Sequence, residues 1–68
     1  MMYIGKGMVL TRGDELLKVL MRDEEFILMA PAAIRKGTDG EDYIWSNVAE
    51  LQLYDATDDF DELGFKMA

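Results

Sequence analysis

The side chains of this chain that could do chemistry are hydroxyls and carboxylates. Its 68 residues include no His and no Cys. That removes zinc and haem sites, disulfides, thiol nucleophiles and every catalytic scheme that moves a proton through imidazole. Besides the tyrosines, the hydroxyls are Thr11, Thr38, Ser46 and Thr57. None has an imidazole to activate it, and Ser46 fits the entry to a helical turn better than a nucleophile's place. Carboxylate pairs stand at Asp14-Glu15, Glu24-Glu25 and Glu41-Asp42, each in a predicted turn. Glycoside hydrolysis needs two carboxylates facing each other across a cleft, and turn pairs do not supply that. A calcium loop begun at Asp55 needs Gly at its sixth position and Glu at its twelfth. Phe60 and Lys66 stand there instead. The expectation is a protein that is not an enzyme, with no cofactor and no resident metal.

Charge points towards binding. Fourteen acids oppose seven bases, a formal charge of −7 and a pI near 4.2. DNA binding rests largely on Lys and Arg neutralising phosphates, so direct nucleic-acid binding is not expected. An acidic surface suits a basic surface of another protein.

The last fourteen residues concentrate that charge. Asp55, Asp58, Asp59, Asp61 and Glu62 stand against Lys66 alone, a net of −4. Phe60, Leu63 and Met67 follow an i, i+3, i+7 spacing behind acids, the pattern of a short helix, although Gly64 weakens it. Asp58, Asp59, Asp61 and Glu62 are therefore candidate partner contacts, with Phe60 and Leu63 as apolar anchors. Tyr43 is a further candidate, at the rim of a strand. Trp45 shares its face two residues on and is expected in the core, where Trp is largely buried on average.

The elements that must position these residues are short. Turn signals at Gly13-Asp14, Arg22 to Glu25 and Gly37 to Gly40 separate apolar runs. The runs are Met8–Arg12, Leu16–Met21, Phe26–Ile34, Asp42–Trp45 and Leu51–Tyr54, and five strands at that spacing suggest a small sandwich or barrel. Leu16–Met21 lies between breakers and lacks a 3.6-residue period, which favours a strand over a helix. Asp39-Gly40 predicts a type I′ hairpin turn. Asn47 with Glu50 three residues later fits a capping box on one helical turn.

Tyr43-Ile44-Trp45, then Asn47 to Leu51 with its Glu50-Leu51 pair, then Gln52-Leu53-Tyr54 resemble SH3-like small β-barrels. The resemblance covers roughly residues 5–54 and implies a binding module more often than an enzyme. The expected fold is mainly β: a five-stranded SH3-like barrel over 1–54 with one short helical turn, and an acidic C-terminal segment over 55–68. Leu16-Leu17, Val19 to Met21 and Phe26 to Met29 are apolar at successive positions, whereas a strand with one wet face alternates. Both faces then need cover, from the tail, a second copy or a partner.

The longest apolar stretch, Phe26–Ile34, is interrupted by Pro31 and falls short of the ~20 residues of a membrane span. Met1 to Gly7 lacks the long apolar core of a leader. A cytoplasmic protein without membrane contact is expected. The leading functional expectation is an acidic protein-binding module, such as a phage or mobile-element inhibitor of a host nucleic-acid-binding protein. The alternative is a small structural or assembly subunit acting as a homo-oligomer. A minor third reading is a small-ligand binding protein with a pocket between subunits.

Overall fold

Apolar runs broken by turn residues do become strands. The computed structural model describes residues 3–68 and is mainly β. Met1 and Met2, the start of the segment read for a leader, lie outside the described residues. The strands are β1 (Val9–Arg12), β2 (Glu15–Arg22), β3 (Phe26–Lys36), β4 (Asp42–Ser46), β5 (Gln52–Asp55) and β6 (Lys66–Met67), with a 3₁₀ turn at Val48–Glu50. Leu16–Met21 is a strand, as its missing helical period predicts.

All pairings are antiparallel, in the order β4-β3-β2-β1-β6, with β5 also on β3. β3 is the common partner. Its first half lies between β2 and β5, and its second half, Ala32–Lys36, pairs with β4. β4, the 3₁₀ turn and β5 run in succession along one edge of β3. Ala32 faces Ser46 but Met29 faces Gln52, so the turn takes up three extra residues. Pro31 stands at this changeover. It has no N–H to give to either strand, and its carbonyl accepts from the Asn47 N–H at 2.7 Å.

The sheet is open. No pairing joins its two margins among the described residues, because the short tail strand β6 occupies the free side of β1. There are six strands rather than five. The hairpin after β3 is also looser than a two-residue turn. Gly37 N–H donates to the Glu41 carbonyl at 2.8 Å, and Gly40 N–H to the Gly37 carbonyl at 3.1 Å. Gly40 alone takes a positive φ, +84°, whereas a type I′ turn needs two such residues. The capping box is half made. The Asn47 side chain accepts from Ala49 N–H at 3.2 Å, while the Asn47 N–H is already given to Pro31.

One face of the sheet holds the core. Leu10, Leu17, Val19, Ile27 and Met29 project from the strands, Ile4 from the leading segment, and Phe60 and Phe65 from the tail. The tail is thus part of the domain rather than an appendage, and it forms no helix among the described residues. It makes one turn closed as a Schellman motif. Phe65 N–H donates to the Phe60 carbonyl at 3.0 Å, and Gly64 N–H to the Asp61 carbonyl at 3.1 Å. Gly64, at φ +90°, reverses the chain as glycine does at that position. Gly64 therefore folds Phe65 in beside Phe60, where a helix would have aligned Phe60 with Leu63 and Met67.

These contacts fix expected costs. Phe65→Ala should lose roughly 3–5 kcal/mol, a large share of the stability of so small a domain. Gly64→Ala should cost about 1–2 kcal/mol through its left-handed backbone. Leu63→Ala, at an exposed position, should stay within about 0.5 kcal/mol. Urea melts of the three variants measure this order.

Candidate partner-binding surface

Two acidic turns meet at one end of the molecule. The Ala56 N–H donates to the Glu25 carbonyl at 2.8 Å, which holds the β2–β3 turn, Asp23-Glu24-Glu25, against the end of β5. Each turn is organised by its own first carboxylate. Asp23 accepts from Glu25 N–H at 2.8 Å and Phe26 N–H at 2.7 Å. Asp55 accepts from the Thr57 N–H at 2.9 Å and the Thr57 hydroxyl at 2.7 Å. Backbone donors favour the ionised form. The Phe26 and Glu25 N–H groups hold Asp23 below the usual carboxylate range, and Thr57 does the same to Asp55.

Beside these turns lies an open cleft of about 420 Å³, lined by Tyr3, Arg22, Ala56, Thr57, Asp58 and Phe60 among others. Arg22 is the base of this pole, and it is engaged within the chain. Its guanidinium donates to the Ile4 carbonyl and lies 5.1 Å from the centre of the Tyr3 ring. Asp23, Glu24, Glu25, Asp55 and Asp58 are all exposed, so the pole presents negative charge with an aromatic ring at its rim.

The Thr57 hydroxyl beside Asp55 has the outline of a nucleophile and its base. The chemistry is unfavourable, because a carboxylate with a lowered pKa is a weak base and both groups are used to hold a turn. Among the described residues no group of three or more acids is placed to hold a metal ion. No helix among them is long and apolar enough to cross a membrane.

The tail candidates divide. Asp58 lines the cleft, and Asp59, Asp61 and Glu62 are exposed on the Schellman turn, where Asp59 accepts from Glu62 N–H at 3.3 Å. Leu63 is exposed as well. Phe60 is not available as an anchor: it is 5% exposed and packs edge-to-face on Tyr54 and Phe65. Tyr43 lies on β4, half exposed, across from Arg35. Trp45 is not in the core. It is 38% exposed, and the Arg35 guanidinium lies 4.2 Å from its ring centre. The core ends where the β2–β3 pairing stops, at Leu17 opposite Pro31, and β4 runs past it on a two-stranded arm.

Residue-type reasoning missed Asp23, Glu24, Glu25 and Tyr3 as parts of this surface. The acids looked like solvated turn residues, and nothing local connects them to Asp55 and Asp58. Comparison with known proteins finds no matching family model, no matching curated protein and no matching solved structure.

The turn carboxylates carry a pH signature. Asp23 titrates below its ordinary value of 3.8 in the folded chain, so its stabilisation is complete above that value and is lost as pH falls through the lowered one. The melting-temperature gap between wild type and Asp23→Ala should therefore be widest near neutral pH and narrow below about pH 4. A gap that grows on acidification would contradict the assignment.

Proposed function

We propose that this chain is a non-enzymatic acidic protein-binding module that docks on a basic surface of another protein through its acidic pole. The observation that carries the reading is the Glu25–Ala56 bond, which fixes two acidic turns side by side along one cleft. Carboxylates carried on two turns that are tied together through the backbone pay less ordering entropy on binding than those of a flexible acidic tail would. They also compete with phosphates for the same Lys and Arg side chains. An inhibitor of a nucleic-acid-binding protein, of phage or mobile-element type and acting in the cytoplasm, is the role this array fits best.

The small-barrel reading belongs to the same proposal. The succession of β4, 3₁₀ turn and β5 along β3 supports it, while β6, on the edge of β1 that closure would use, counts against a closed barrel.

The test is capture from a native host lysate at low salt, followed by binding kinetics on the captured protein. The partner should be basic, and the complex should weaken as salt rises. Glu24→Lys with Asp58→Lys should slow association by about tenfold or more and flatten the salt dependence. Tyr3→Ala should mainly speed dissociation, because buried aromatics set residence time. A partner whose association ignores the charge reversal would place the binding surface elsewhere.

A further inference from the structure

The strands that are apolar at successive positions leave a second apolar face, opposite the core. β3 contributes Phe26, Leu28, Ala32 and Ile34 to it by alternation, while Ala30 between them is fully covered within the chain. The registers set Met21 and Leu53 on either side of Leu28, and Ile44 beside Ile34. Met21 is there because of a bulge. Val19 faces Met29 and Met21 faces Leu28, so Leu20 is an extra residue and the alternation of β2 reverses. Met21 is 53% exposed, Leu53 63% and Ile34 65%, and the tail covers only the other face.

Charge and size both indicate what covers this face. Of the chain's fourteen acids, the strand registers put two here, Asp42 and Asp55, one towards each end. Lys18, opposite Ala30, is the charge near its middle, and Lys36 sits beside Asp42. A basic partner finds no reason to choose this face, whereas two copies can meet on it without opposing their acidic poles. β3 spans roughly 36 Å at ~3.3 Å per residue. That is most of the 39 Å long axis of a molecule 20 Å across. The face is several strands wide beside β2 and two wide on the β4 arm, an extent in the lower range of specific protein interfaces. The short side chain of Ala32 near its centre lets two backbones approach closely.

We propose that this outer face is the interface of a homodimer, in which two sheets stack face to face as a β-sandwich. The pair leaves both acidic poles in solvent and makes the module bivalent. The proposal rests on strand register and charge placement, not on the function of the pole.

Sedimentation of the full chain from about 1 to 100 µM, the range over which interfaces of this size associate, tests it. Wild type should move to a dimer mass across that range. Leu53→Lys with Ile34→Lys places charge on two exposed positions of the face and should raise the dimer dissociation constant by about a hundredfold. Leu63→Lys, exposed on the tail turn, should leave the dimer intact, and so should Glu24→Lys with Asp58→Lys. Leu53→Ser is the milder variant if the lysines unfold the chain, and it should weaken the dimer about tenfold. A strict monomer over the whole range overturns the proposal. So does a dimer unmoved by the Leu53 and Ile34 changes, or polymers that grow without limit, which would indicate pairing of strand edges instead.

Discussion

Three aromatic rings and one guanidinium hold this fold together. Tyr54, Phe60 and Phe65 meet edge-to-face with centroids 5.4 to 5.8 Å apart. Arg12 lies 4.8 Å from the Phe65 ring centre, and its guanidinium donates to the Tyr54 hydroxyl at 2.8 Å and to Gln52 at 3.4 Å. An open sheet this small has a face to bury and no second layer to bury it. The tail supplies that layer, which is why so acidic a segment packs on a chain already bearing net negative charge. The burial of two phenylalanines outweighs a repulsion that solvent largely screens, since the acids of the tail turn stay in water.

β3 sets the shape of everything else. Eleven residues are too many for one set of neighbours, so β2 and β5 flank its first half and β4 its second. The core follows the doubly flanked half. The far half becomes an arm whose Trp45 ring is covered by Arg35 rather than by a layer of protein. The bulge at Leu20 then decides which apolar residues of β2 belong to the core and which to the outer face.

The charges are sorted by the same architecture. Turns collect the acids because turns are solvated, and the β2–β3 turn adjoins the end of β5 because both strands flank the first half of β3. An apolar, nearly neutral sheet face and a negative pole therefore lie on one rod and adjoin at Asp55. Binding at one does not preclude binding at the other.

Much of the local structure was legible in the residues. Gly13, Asp23 to Glu25 and Gly37 to Gly40 do divide the strands, Leu16–Met21 is extended, and one 3₁₀ turn follows Asn47. Those features depend on backbone preferences acting over a few residues. The unbroken apolar runs also registered that apolar side chains lie on both sheet faces, one of which has cover from the rest of the chain. Which residues supply it was not legible, because the i, i+3, i+7 spacing of Phe60, Leu63 and Met67 competes with the glycine signal at Gly64, and only the packed core favours Phe65. The same holds for Trp45, whose type suggests burial but whose place on β4 lies beyond Leu17–Pro31, the pair at which β2 parts from β3. The acidic pole joins residues some thirty positions apart through one backbone hydrogen bond. Composition fixed how much negative charge the chain carries. Only the tertiary pairing of β3 with both β2 and β5 decided where that charge gathers, because proximity in space is set by strand register and not by distance along the chain.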